Sequence, residues 1–254
     1  MVDAIDPRPG DRFVEIGPGP GALTLRLAPR VAHLTAIEVD RDLARDLTPK
    51  LPANADVVIA DFLDFDLAPL LDEGPLRIAG NLPYKISSPI LFKLLSAKRG
   101  QPPFFANEGD SLAIVDATVM LQREVADRLA ARPGTKDYGV LTIFTRIQAD
   151  IDRVLTLPPG AFRPVPKVHS ALVRLRFKPP VVPDDLHDVF GRMVRSIFTQ
   201  RRKTLGNALR PFAESVGATA TAALASARID PTRRPETLEL SELVSLASAV
   251  KTST

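Results

Sequence analysis

Across the first two-thirds of the chain, short runs of consecutive apolar residues alternate with stretches whose apolar positions recur every three or four residues. The runs Arg12–Ile16, His33–Val39, Asp56–Ala60, Leu76–Gly80 and Ala113–Leu121 read as five strands. Between and after them, Ala22–Ala28, Arg41–Leu47, Ser88–Leu95 and Glu124–Ala131 read as helices. Leu23, Leu25 and Leu27 give the first its apolar surface. Ile90, Leu91, Leu94 and Leu95 do so for the third, and the last stops before Pro133-Gly134. A second helical pattern covers Tyr138–Ala149. Ile151–Leu155 and Ala171–Phe177 then read as two final strands, separated by the Pro-rich segment Leu157–Lys167. This rhythm predicts an α/β fold with a parallel sheet covered by helices on both faces. Strands that are apolar at consecutive positions are what burial on both faces requires.

Lys178-Pro179-Pro180-Val181-Val182-Pro183 breaks both periods and reads as a linker. Beyond it, Asp184–Thr199 is amphipathic, with Leu186, Val189, Phe190, Met193, Val194 and Ile197 on one side. Asp184 and Asp185 stand where a helix start favours acids. The remainder through Val250 is helical in composition. The expected organisation is a larger domain over 1–180 and a small all-α domain over 181–254.

Composition narrows the classes. The chain has 254 residues, 45% hydrophobic and 25% charged, as in an ordinary globular protein. No apolar run approaches a membrane span and no signal peptide opens the chain, so a cytoplasmic protein with no membrane partner is expected. There is no cysteine, hence no disulfide framework and no thiolate metal site. His33, His169 and His187 are scattered without metal-ligand spacing, and no metal is expected. Charge is uneven. Residues 160–254 carry 15 Lys and Arg against 8 Asp and Glu, whereas the rest carries 18 against 22. A basic end on a mildly acidic body suggests a polyanion docking there.

Strand one runs into Gly17-Pro18-Gly19-Pro20-Gly21, a loop whose glycines let backbone approach a ligand. Glu38 ends strand two, 21 positions after Gly17, where a carboxylate can accept both hydroxyls of a ribose. The candidates are a dinucleotide and S-adenosylmethionine. Leu23 and the early third glycine depart from the dinucleotide pattern, and two prolines remove N–H groups that a pyrophosphate would want. A ligand without phosphates is favoured. Asp61, after strand three, can accept from an adenine amino group while Phe62 packs on its ring.

Asn81-Leu82-Pro83-Tyr84 closes strand four. An exocyclic amine on a flat base is a poor nucleophile, because its lone pair is delocalised. The Asn81 oxygen and the carbonyl of Leu82 or Pro83 can accept its two hydrogens and aim that lone pair at an electrophilic methyl. Tyr84 offers a face on which an extruded base can stack. Singly, each feature also fits a plainer role: loop glycines turn a chain, Glu38 caps a helix, Asp61, Asn81 and Pro83 form turns. Together they fall at the ends of four successive strands, the edge where ligands bind in open parallel sheets.

At these residues the chain resembles the KsgA-type rRNA adenine N6-dimethyltransferases, relatives of the Erm methylases. Gly17–Gly21 is similar to the family's first motif, and Glu38, Asp61 and Asn81 stand where its cofactor-binding residues lie. Asn81–Tyr84 is similar to its catalytic motif. Phe162-Arg163-Pro164-Val165-Pro166-Lys167-Val168 resembles a further motif, whose Phe helps sandwich the target adenine. Phe198-Thr199-Gln200-Arg201-Arg202-Lys203-Thr204-Leu205 resembles the C-terminal signature of the small-subunit branch.

The resemblance implies a Rossmann-like class I methyltransferase fold with a seven-stranded, mostly parallel sheet; nothing in the sequence suggests more than a monomer. It implies S-adenosylmethionine as cofactor and dimethylation of two adjacent adenosines in the 3′-terminal hairpin loop of 16S rRNA in the small ribosomal subunit. Asn81, Leu82, Pro83, Tyr84 and Phe162 would serve the transfer. Gly17, Gly19, Gly21, Glu38, Asp61, Phe62 and Asn81 would hold the cofactor. Arg163, Lys167, Arg201, Arg202 and Lys203 would engage RNA. One departure stands out. The family opens with a Gly-Gln-Asn-Phe-Leu segment that covers the cofactor, whereas here Met1 is followed at once by Val2-Asp3-Ala4-Ile5. The chain is therefore read as lacking that segment, which bears on cofactor affinity and leaves the fold in place. The alternatives are a catalytically impaired assembly factor, the same chemistry on large-subunit rRNA or DNA, and a nucleotide-dependent oxidoreductase.

Overall fold

A computed structural model describes residues 1–95, 114–161, 168–179 and 181–252. By contact the chain forms two units, Met1–Ala126 with Ala149–Pro179, and Asp127–Gln148 with Pro180–Thr254.

The first unit is built on one seven-stranded sheet. Its elements in chain order are α1 (Val2–Ile5), β1 (Arg12–Ile16), α2 (Thr24–Leu27), β2 (His33–Glu38), α3 (Arg41–Leu47), β3 (Ala55–Ile59), α4 (Ala68–Asp72), β4 (Leu76–Asn81), α5 (Ser87–Leu95) and β5 (Ile114–Gln122). Helices α6 (Arg123–Ala130) and α7 (Val140–Arg146) follow, then β6 (Ala149–Leu157) and β7 (Ser170–Phe177). The strand order is β3-β2-β1-β4-β5-β7-β6. The first five strands are parallel, while β7 runs antiparallel to β5 and β6 antiparallel to β7. Phe13–Ile16 and Leu34–Glu38 are buried at consecutive positions, so both faces of the sheet are covered, as the apolar runs predict.

Element ends depart from expectation for local reasons. The helix expected from Ala22 starts at Thr24, because Gly21 sits at φ 87°, outside helical backbone. A Cβ at Gly21 would also lie 2.3 Å from Leu47 Cδ1, so the loop and α3 approach as only glycine allows. Asp40 caps α3 by accepting from the N–H groups of Asp42 and Leu43. The helix expected over 138–149 is shorter, and β6 is longer than expected because it begins at Ala149.

Arg77 on β4 ties the strands to the chain's first residues. It donates to Asp116 Oδ1 at 2.8 Å and Oδ2 at 2.7 Å, to Asp11 Oδ2 at 2.6 Å, and to the carbonyls of Ile5 and Asp6.

The second unit adds α8 (His187–Thr199), α9 (Leu205–Ser215), α10 (Ala220–Ser226) and α11 (Leu240–Thr252). Phe190, Met193, Val194, Ile197 and Phe198 line the buried side of α8 at the spacing the amphipathic pattern predicts. Residues 127–148 belong here rather than with residues 1–126. Tyr138, Ile143 and Ile147 are members of this helical core, and Tyr138 Oη donates to Leu238 O at 2.9 Å. Expected as part of the larger domain, residues 127–148 group by contact with 180–254 instead.

Candidate active site

The parallel register brings the expected tips to one edge of the sheet. Ile16 pairs with Ile37 on β2 and with Gly80 on β4, and Glu38 pairs with Ile59 on β3. Gly17, Glu38, Asp61 and Asn81 therefore stand at the carboxyl ends of four adjacent strands, about 4.8 Å apart from strand to strand. Gly80 permits the close approach of β4 to β1, since a Cβ there would lie 2.7 Å from Ile16 O.

Within this edge, Gly17, Gly19 and Gly21 all adopt positive φ. Glu38 is buried and holds the loop in place. Its Oε2 accepts from Gly19 N at 2.9 Å and its Oε1 from Asp40 N at 3.0 Å. Asp61 is exposed at the head of a turn, and its Oδ1 accepts from Leu63 N at 2.8 Å. Asn81 is exposed at the end of β4, and its side-chain amide makes no hydrogen bond among the described residues. Leu82 N donates to Met120 O at 3.2 Å and Ile86 N to Pro83 O at 3.1 Å, which fixes the loop that follows. Tyr84 is half-buried.

Phe62 differs from expectation. It is only 4% exposed, and the Lys93 ammonium lies 5.3 Å from its ring centre, so it leaves little surface on which an adenine could pack. Phe162, Arg163 and Lys167 lie outside the described residues. Arg201, Arg202 and Lys203 belong to the second unit. There Arg201 pairs with Glu236 at 2.7 Å and donates to Lys136 O at 3.0 Å, whereas Arg202 and Lys203 are exposed.

Sequence reasoning missed Glu15, although a carboxylate inside the apolar run Arg12–Ile16 was a signal. Glu15 is 2% exposed, two residues before the glycine loop. Burial pushes its carboxyl up to about 7; the Glu38 charge acts in the same direction and the Thr24 hydroxyl against it. Glu15 Oε2 and Thr24 Oγ1 are both buried without a hydrogen bond of full geometry among the described residues. Ser170 and Lys93 were also missed, and nothing local in the sequence marks either.

The donor set fits S-adenosylmethionine. Two carboxylates and an exposed amide suit hydroxyl and amino groups. At Gly17 and Gly19 a Cβ would meet nothing within 4 Å, so the loop borders open space that a ligand can enter.

The profile of the family described as ribosomal RNA adenine dimethylase matches residues 1–248. The chain belongs to the ribosomal RNA adenine dimethylase family. Among its relatives is the ribosomal RNA small subunit methyltransferase A of Nitrosococcus oceani, 42% identical over 97% of this chain and 88% of that protein. The protein of the same name from Chromohalobacter salexigens is 46% identical over 98% of this chain and 85% of that one. Among solved structures, the 23S rRNA methyltransferase ErmE is 29% identical, with a TM-score of 0.69 over 98% of this chain and 95% of its own. A dimethyladenosine transferase from Plasmodium falciparum shares the fold, with a TM-score of 0.77 at 24% identity over 96% of this chain and 93% of its own. As a dimethylase of this family, the chain is an S-adenosylmethionine-dependent methyltransferase with a Rossmann-like fold.

Proposed function

We propose that this chain dimethylates the N6 atoms of two adjacent adenosines in the 3′-terminal hairpin loop of 16S rRNA, within the small ribosomal subunit. It would act as a monomer in the cytoplasm. The small-subunit name of its relatives supports that substrate over large-subunit rRNA or DNA. No described helix is long and apolar enough to cross a membrane. The observation that carries the chemistry is the Asn81 amide, exposed and without a hydrogen bond among the described residues, on the same sheet edge as the loop that Glu38 holds.

Bound at this edge, S-adenosylmethionine supplies a methyl group made electrophilic by a positively charged sulfur. The chain's own residues do the positioning. Glu38 retains lone pairs beyond its bonds to Gly19 and Asp40 for ribose hydroxyls, and Asp61 has an oxygen free of Leu63 for an adenine amine. The Asn81 oxygen and the carbonyl of Leu82 or Pro83 accept the target N–H groups and orient the nitrogen lone pair. Tyr84 and Phe162 clamp the base, which a hairpin loop can splay out. Arg202 and Lys203 engage phosphates. Alignment of nitrogen and methyl supplies most of the acceleration, and no strong base is required. The assembly-factor alternative has no observation in its favour: the loop, Glu38, Asp61 and Asn81 all stand at one edge.

Asn81→Ala tests this reading. Methyl transfer to unmethylated small subunits is expected to vanish while the melting temperature stays at the wild-type value. Undiminished transfer would remove Asn81 from the reaction.

A further inference from the structure

We propose that Lys93 is a positioning residue for cofactor binding, acting from α5 on the turn that carries Asp61. The inference rests on the reading of Asp61 as a cofactor ligand given above.

The Lys93 ammonium donates to Leu63 O at 2.8 Å and to Phe65 O at 2.6 Å, and it lies 5.3 Å from the centre of the Phe62 ring. A lysine head ordinarily stays in water while its stem covers apolar surface. Here the half-buried residue places its head on two carbonyls and a ring face of one turn of chain. In the same turn, Asp61 Oδ1 accepts from Leu63 N at 2.8 Å. Asp61 O accepts from Asp64 N at 3.0 Å and Phe65 N at 2.9 Å.

Leu63 and Phe65 thus each donate an N–H to Asp61 and offer a carbonyl to Lys93. Leu63 thus joins the Asp61 carboxylate to the Lys93 ammonium through its own N–H and C=O, and Phe65 joins the Asp61 main-chain carbonyl to the same ammonium. α5 also joins the loop that follows Asn81: Ser87 Oγ donates to Tyr84 O at 3.2 Å and Ile90 N to Ile86 O at 3.0 Å. One helix therefore holds the acceptor loop at its start and the Asp61 turn near its end.

The test measures S-adenosylmethionine binding by calorimetry and methyl transfer to small subunits, for wild type, Lys93→Met, Asp61→Asn and the double variant. Lys93→Met, which keeps an apolar stem and removes the donors, is expected to weaken cofactor binding about tenfold. Its kcat at saturating cofactor should stay within about twofold of wild type, because Asn81 and Tyr84 are untouched. The double variant should bind no more weakly than Asp61→Asn alone, since both act through one turn. A lysine that only stabilises the fold would lower binding and kcat together and add to the Asp61 effect. Lys93→Gln, with a donor on a shorter stem, is the second variant should Lys93→Met fail to fold, and it should lose part of the affinity. Wild-type affinity in the folded Lys93 variants, beside weakened binding in Asp61→Asn, overturns the proposal. Wild-type affinity in Asp61→Asn overturns instead the site reading beneath it.

Discussion

The hydroxyls of Tyr84 and Ser170 lie 2.6 Å apart although the residues are 86 positions apart in sequence. Ser170 is 0% exposed and begins β7, where it pairs with Gln122 on β5 and Leu157 on β6. A fixed post in the sheet thus holds the tip of a ring in the Asn81–Tyr84 loop. Tyr84→Phe and Ser170→Ala each remove one hydrogen bond, about 1 kcal/mol. Each should lower kcat about fivefold with cofactor affinity unchanged, and the double variant should be no slower than the slower single one. Single-turnover transfer and calorimetry on the same samples check this, and additive losses would show that the two hydroxyls act separately.

Glu15 makes stability depend on pH in a stated direction. Folded, it keeps its proton to about 7, whereas an unfolded glutamate releases it near 4.5. Between these values the native state holds more protons, so stability present at low pH is lost as pH rises through this window. The loss approaches about 3 kcal/mol above neutrality. Glu15→Gln removes the charge, so denaturant unfolding should find it more stable than wild type at pH 8 and near-equal at pH 4.5. A variant no more stable than wild type at pH 8 contradicts the burial argument.

Arg201, Arg202 and Lys203 form one basic run yet differ in their surroundings. Arg201 is engaged by Glu236 and Lys136 O, while the side chains of Arg202 and Lys203 have no hydrogen bond or ion pair among the described residues. Arg202→Ala and Lys203→Ala should each flatten the dependence of RNA affinity on log salt by about 0.7–0.9. Arg201→Ala should lower the melting temperature and change that slope little. Salt titrations of RNA binding separate these outcomes; equal slope changes at all three would make Arg201 a phosphate contact as well.

Arg77 and Asp116 make a two-point ion pair in the sheet, with Asp116 5% exposed. Arg77→Met strands that carboxylate, with only Arg174 Nε left among the described residues, at 3.6 Å. Its loss should cost about 3 kcal/mol, visible as a lower denaturation midpoint. A midpoint within error of wild type would mean Arg174 and water compensate.

The sheet was legible because β1, β2 and β4 each carry adjacent apolar residues, Phe13-Val14, Ala36-Ile37 and Ile78-Ala79, as burial on both faces requires. α1 and α4 were not legible, since four and five residues are too few to show a period. β6 begins before its expected start at Ile151 because Asp150 looks like a loop residue; it pairs with Lys178, just beyond β7. In the site, glycine spacing and strand-end carboxylates were readable. Ser170, Lys93 and Arg77 were not, because each acts on residues at least 28 positions away that only the fold brings near. The burial of Phe62 was not readable, because Lys93, which lies against its ring, is 31 positions away in sequence.

The claim that these strand ends form one methyl-transfer site for paired adenosines is tested most directly by mass mapping of rRNA. Small subunits lacking these methyl groups are incubated with this chain and methyl-labelled S-adenosylmethionine. The expected result is label confined to two adjacent N6-dimethyladenosines in the 3′-terminal hairpin loop of 16S rRNA. Label elsewhere, or none on folded, cofactor-bound protein, would contradict it.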